Sequence, residues 1–277
     1  MFHYLWNLVP ESTKILLRGD YNSCSARFID RPRDWLALQT QRLLGKNFLN
    51  WYARRLDQAA NQVSTGEGGK HLKAHEMMKT GREDLEVAKR FGLKPEHSLF
   101  EFGTGFGRSA QHFIGYLKKK QYCGNDISKG RVRQMTEYFE LIGLSNKEPE
   151  ILVTADNTFD WLNGRKFDYV WTMAVLSHMP DEDVVAFFKN AQKIMHENST
   201  LLALDTHIEG YNDVFRYNAK DWFRPPEWYC DAIESVGLVA QNATDKRVAG
   251  AGSQNVGHPI GSKGMKFSSH LVAATLK

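Results

Sequence analysis

Three carboxylates and a run of alternating glycines stand at intervals suited to holding a ligand. Leu99-Phe100-Glu101-Phe102 is a short apolar run carrying one acid, and Gly103-Thr104-Gly105-Phe106-Gly107 follows it. Glycine at every second position lets the backbone turn tightly and approach a ligand with no Cβ in the way. A helix opening after such a turn presents unpaired N–H groups and the positive end of its dipole. The spacing departs from the dinucleotide fingerprint G-x-G-x-x-G. Arg108 stands where its third glycine is needed, and no G-K-[ST] of a P-loop follows. Nineteen residues past Gly107, in Gly124-Asn125-Asp126-Ile127-Ser128, Asp126 can accept both hydroxyls of a ribose; it or Ser128 can instead cap the next helix. In Thr154-Ala155-Asp156-Asn157, Asp156 can accept from an exocyclic amine such as adenine N6, or cap a helix carrying Trp161 and Leu162.

Candidate proton acceptors follow later in the chain. His178 lies in Val175-Leu176-Ser177-His178-Met179-Pro180, and Asp205 and His207 follow the apolar run Thr200–Leu204. His258 lies in the glycine-rich stretch 249–264. A lone histidine after a strand can equally be a satisfied structural residue. His71 and His75 have the i, i+4 spacing of a metal pair, but no third ligand stands nearby, so no metal site is expected.

These residues need elements to bring them together. Short apolar runs at Ser98–Phe102, Gln121–Asn125, Glu150–Thr154, Phe167–Met173 and Thr200–Leu204 alternate with helical patterns at 107–119, 128–143, 158–163 and 181–195. Alternation at this spacing predicts a parallel sheet with right-handed crossovers. In such a sheet all three acids reach the carboxyl edge, where open α/β folds bind ligands. Beyond residue 205, a helix over 225–236 precedes Leu238–Thr244 and His270–Leu276, which can pair as a hairpin across the long loop. The surrounding aromatics Tyr211, Phe215, Tyr217, Trp222, Phe223, Trp228 and Tyr229 can cover an acceptor or simply pack.

The four stretches, in this order and spacing, resemble the class I S-adenosylmethionine-dependent methyltransferase family, well over 98–207 and loosely over 208–277. The stretch from Phe167 to His207, with its turn Val175-Leu176-Ser177-His178-Met179-Pro180, looks like a bacterial small-molecule and glycan-tailoring branch. The resemblance implies a doubly wound, Rossmann-like α/β fold with seven strands, the last antiparallel. It implies S-adenosylmethionine as cofactor: Glu101, Gly103 and Gly105 on its methionine part, Asp126 on the ribose, Ile127 against the adenine and Asp156 at adenine N6, with Thr104, Asn157 and Met173 also beside the cofactor. Where the family carries Pro-Gly-Gly before strand five, this chain has Met195-His196-Glu197-Asn198-Ser199-Thr200, expected to be a surface turn. DNA amino-methyltransferases carry [DN]-P-P-[YF] after strand four, whereas this chain has Thr172-Met173-Ala174-Val175, which argues against base methylation.

Composition agrees with such a domain. The 277 residues are 42% hydrophobic and 25% charged, enough for a sizeable core. The net charge of +4 is concentrated in residues 1–90, with fifteen Lys/Arg against ten Asp/Glu, yet no dense basic stripe of a nucleic-acid binder is present. Three scattered cysteines, no transmembrane stretch and no secretory leader point to the cytoplasm. The reading is therefore a methyltransferase domain over 76–277, with His178 and His207 as catalytic residues and a small molecule or sugar as acceptor. The alternatives are an RNA or protein acceptor engaged by the basic N-terminal region, or a nicotinamide-dependent oxidoreductase.

Residues 1–75 form a helical extension with apolar residues at helical spacing over 33–63, then the polar break Ser64-Thr65-Gly66-Glu67-Gly68-Gly69. Trp6, Trp35, Phe48, Trp51 and Tyr52 are too many large apolar groups for a free tail. They are expected to cap the acceptor pocket, to form a homodimer surface, or to add a layer to the sheet.

Overall fold

The computed structural model describes residues 48–64, 81–216, 220–248 and 267–277, with short pieces between 36 and 45. Helix α1 (Phe48–Ser64) precedes α2 (Arg82–Arg90), and the alternating part begins at β1 (Leu99–Phe102). It continues through α3 (Ala110–Tyr116), β2 (Tyr122–Asp126), α4 (Lys129–Leu141), β3 (Glu150–Val153), β4 (Phe167–Met173), α5 (Asp181–Ala191) and β5 (Met195–Ile208). A small hairpin of β6 (Phe215–Arg216) and β7 (Trp222–Phe223) leads to α6 (Pro226–Ser235), β8 (Val239–Asn242) and β9 (Phe267–Thr275).

Seven strands form one sheet in the order β3-β2-β1-β4-β5-β9-β8. The first five pair in parallel, while β9 runs antiparallel to both β5 and β8. This is the expected doubly wound α/β sheet, including the pairing of the last two strands. Each central strand is buried on both faces, so alternate residues enter separate cores. Phe100, Val170 and Ala203 pack with Phe187 and Phe188 of α5 and Ile233 of α6. Leu99, Trp171 and Leu202 pack with Val87 of α2, Phe113 of α3 and Met135 of α4.

Three segments differ from the sequence reading. The helix expected over 158–163 is a single 3₁₀ turn, Asp160–Leu162, because Phe159 and Asn163 at its ends take positive φ and stop it. Helix α3 starts at Ala110, since Gly107 still belongs to the turn with φ of 87°. Met195–Thr200 lies within β5: Met195 pairs with Phe167 and Thr200 with Tyr169, so the residues between bulge outward, with Glu197 and Asn198 exposed. His196 of that bulge contacts Asp168 at 3.2 Å. The boundary near residue 75, the break at 65–69 and the loop 249–264 lie outside the described residues.

Candidate functional site

The parallel strands bring the glycine turn, Asp126, Asp156 and the end of β4 to one edge of the sheet. Gly103, Gly105 and Gly107 all take positive φ, but what a side chain would meet there differs. A Cβ on Gly103 would strike Val175, and one on Gly107 would lie 2.7 Å from both Met135 and Phe139. Those two glycines let the turn pack against β4 and α4. A Cβ on Gly105 meets nothing within 4 Å, so this glycine faces open space where a ligand can lie. Beside it the Thr104 hydroxyl is buried with no hydrogen-bond partner in the protein. A polar atom left so is costly unless a ligand or water completes it.

Glu101 lies under this turn, almost fully buried, and accepts a 2.6 Å hydrogen bond from the Tyr122 hydroxyl. Burial pushes its carboxyl up to about 8, against the opposing hydrogen bond from Tyr122. Such a carboxyl is ready to ionise when a cation arrives.

Asp126 ends β2 and is also buried. Its Oδ2 accepts from the Gly105 N–H and its Oδ1 from the Ser128 N–H, both at 2.8 Å. Burial raises its carboxyl above the ordinary range, with Arg131 and the two backbone donors pulling the other way. The carboxylate thus ties the glycine turn to the start of α4 and keeps lone pairs for further donors. Ser128 is the N-cap of α4, accepting from the Arg131 N–H. Asp156 is exposed and accepts from both the N–H and the hydroxyl of Thr158, which shapes the following turn. Asn157 donates to the Asp183 carbonyl at a marginal 3.5 Å.

Arg108, at the position a dinucleotide turn gives to glycine, is buried and pairs with Asp84 of α2 at 2.7 Å. It also reaches the Met173 sulfur at 3.0 Å. Met173 therefore stands at the carboxyl end of β4 with its sulfur held by this guanidinium. Ala174 next to it takes a φ of 52°, uncommon for a residue with a Cβ, as the chain swings into the turn bearing His178.

His178 is joined there by a residue the sequence reading missed. Its Nδ1 lies 2.7 Å from Asp221 Oδ1 and 3.1 Å from the Lys220 carbonyl. Burial opposes ionisation of Asp221, but His178 and Lys220 outweigh it and hold the carboxyl well below the usual carboxylate range. An ionised carboxylate only accepts, so with Asp221 ionised Nδ1 carries the ring proton and the ring lone pair lies on Nε2. Asp205, also buried, accepts from the Ser177 N–H at 2.8 Å and so fastens the same turn.

His207 is placed differently. It lies on β5 with its Nδ1 3.3 Å from that of His270 on β9, and burial lowers its pKa below the ordinary value. The structure pairs it with His270, not with His178. His258, His71 and His75 lie outside the described residues, and among those described no cluster of three metal-binding side chains occurs.

Helix α1 crosses this edge. Its Trp51, Tyr52 and Leu56 pack on Ile127, and its Phe48 ring meets Trp222 of β7 at 5.4 Å. The Tyr52 ring lies 5.6 Å from His178, and its hydroxyl, raised well above its ordinary range by burial, feels the charges of Arg131, Asp221 and Asp126. Asp57 accepts from the Ser128 hydroxyl at 2.7 Å and the Gly130 N–H at 3.1 Å. Gly130 lets the helices meet, since its Cβ would come 2.8 Å from that of Ala60.

Residues 100–201 match the family model described as a methyltransferase domain. The chain is 26% identical over 149 residues, 51% of its length, to alpha N-terminal protein methyltransferase 1 of Caenorhabditis elegans, and that match spans 62% of the relative. Among solved structures it is similar to an N-methyltransferase 2 of Haemonchus contortus bound to phosphomonomethylethanolamine and S-adenosylhomocysteine. The TM-score is 0.57 at 14% identity, covering 78% of this chain and 59% of that one. It is also similar to the DhpI-SAM-HEP complex, with a TM-score of 0.51 at 14% identity over 86% of this chain and 97% of that one. At these identities the two structures speak to the fold.

Proposed function

We propose that the chain is a class I S-adenosylmethionine-dependent methyltransferase, a reading supported by the methyltransferase-domain match over residues 100–201, and that it moves a methyl group to a nitrogen or oxygen of a small-molecule or sugar acceptor. The residues fit the cofactor: an open face at Gly105, an unpartnered Thr104 hydroxyl, a protonatable Glu101 and a buried Asp126. In this reading Glu101, Gly103, Thr104 and Gly105 hold the methionine part, Asp126 the ribose, Ile127 and Met173 the flanks, and Asp156 with Asn157 the adenine. The bound cofactor supplies an electrophilic methyl on a sulfonium.

The chain's own work is to align and deprotonate the acceptor. His178 Nε2 takes the proton that the nucleophile loses, and Asp221 at 2.7 Å from Nδ1 fixes the tautomer and steadies the imidazolium. Helix α1, with Tyr52 over His178, excludes water and narrows the approach. The observation carrying this reading is the His178–Asp221 pair at the carboxyl end of β4. His207 contacts His270 and is not given a proton-transfer role. The test is a metabolite-pool screen with isotopically labelled methyl donor, followed by mass spectrometry of the product. His178→Ala should bind S-adenosylhomocysteine like the parent but transfer about 10²–10⁴-fold more slowly. Transfer at the parent rate would remove His178 as the base.

A protein α-amino acceptor is the second reading, favoured by the name of the curated relative. Free and N-acetylated peptides in the same screen distinguish it, since only the former could be labelled at the terminus.

A further inference from the structure

We propose that Arg224 is a positioning residue for His178, acting through the backbone of the turn that carries the imidazole. The proposal rests on the reading of His178 as the base. Arg224 follows β7 and is fully buried. Its Nη1 donates to the Leu176 carbonyl at 3.0 Å and its Nη2 to the Met179 carbonyl at 2.7 Å. Its Nε and Nη2 also donate to Asp181 Oδ1, at 2.8 and 2.5 Å. The guanidinium lies 4.7 Å from the Trp228 ring centre.

The carbonyls it holds flank His178 on both sides. The turn from Leu176 to His178 is one 3₁₀ turn, closed by the bonds His178 N–H to Val175 and Met179 N–H to Leu176. So short a turn has little rigidity of its own. Between the two carbonyls the Ser177 N–H is taken by Asp205. The backbone is thus gripped at 176, 177 and 179, while the ring of 178 is gripped by Asp221, three residues before Arg224. A single short segment, 221–224, sets both the turn and the ring it bears.

The residue type supports a positioning role. Burying a cation is expensive, and an apolar side chain would fasten β7 to the core at lower cost. Only a planar fork of donors can satisfy two separated carbonyls and a carboxylate together. Lysine would keep the charge and lose the fork.

Histidine-labelled protein read by ¹⁵N NMR tests this without any acceptor. The His178 signals are identified by their loss in His178→Ala, and Asp221→Asn serves as the positive control for a changed tautomer. The parent should show His178 as a single Nδ1-protonated tautomer. Arg224→Lys should show a mixture of tautomers or exchange-broadened signals, with S-adenosylhomocysteine affinity kept within about threefold, roughly 0.65 kcal/mol. An unchanged single tautomer in folded Arg224→Lys would overturn the proposal. Should that variant fail to fold, Asp181→Ala decides, because Asp181 is half exposed and its loss removes the carboxylate that fixes the guanidinium's Nε and Nη2. Partial tautomer mixing supports the proposal, and an unchanged spectrum overturns it. His178→Ala transferring at the parent rate would instead remove the base reading, whatever the spectra show.

Discussion

If Glu101 meets the cofactor as proposed, its raised carboxyl should couple cofactor binding to a proton. Its carboxyl sits at about 8 through burial, above its ordinary 4.5. A raised acid costs nothing while protonated, so the cofactor-free protein loses stability as pH rises from about 4.5 towards 8, by at most about 1.4 kcal/mol per pH unit. The ammonium of the cofactor favours the ionised form and should expel that proton. Calorimetry at pH 7 in two buffers of different ionisation enthalpy should show roughly one proton released per S-adenosylmethionine bound, and none in Glu101→Gln. Proton-neutral binding by the parent would show that Glu101 does not meet the cation. Asp126 joins the glycine turn to α4 through two backbone hydrogen bonds. Asp126→Ala should weaken cofactor binding about 10- to 100-fold, a loss of about 1.5–3 kcal/mol. An unchanged dissociation constant would reduce it to a cap. That both acids meet at the glycine turn, and that His178 follows β4, was legible from spacing. Asp221 was not, because only the β6–β7 hairpin folds it back onto the β4 turn, and no sequence period announces that contact.

At the scale of elements, the glycine turn separates folding from binding. Gly105→Val adds atoms where the protein has none within 4 Å, at a φ of 58°. That variant should keep its fold, with a strain of about 1–2 kcal/mol, and lose cofactor binding. Gly107→Ala places its methyl 2.7 Å from Met135 and Phe139, so it should lower the melting temperature first. Thermal melts with and without S-adenosylhomocysteine check both, and a folded Gly105→Val that is still stabilised by ligand would refute the turn's role. The strands were legible because each is a short apolar run bounded by turn residues, and Phe167–Met173 agrees at both ends. The 158–163 helix was misread because Phe159 and Asn163 take positive φ, which an apolar pattern does not reveal. The β5 bulge was hidden for a similar reason: Asp168 and His196 hold it together across strands.

Across the whole molecule, α1 reaches from the α4 N-terminus to β7 over the carboxyl edge, the ground the proposed cap needs. On the proposed assignment its contacts reach the cofactor side as well as the acceptor side. Asp57 bonds Ser128, which in turn donates its N–H to Asp126, and Tyr52 and Leu56 cover Ile127. Deletion of residues 1–70 should therefore lower cofactor affinity as well as methyl transfer, whereas a cap touching only the acceptor would leave affinity intact. Titration of the truncated protein checks this, and parent-like affinity would confine α1 to the acceptor. The helix was legible as a buried-face pattern, but its resting place was not, because Gly130 and Asp57 announce their fit only in three dimensions. The most direct measurement of the central claim is calorimetric titration of the full chain with S-adenosylmethionine and with S-adenosylhomocysteine. Saturable one-to-one binding of both is the predicted result, and no heat of binding from either at about 1 mM, a limit of roughly −4.1 kcal/mol, would contradict it.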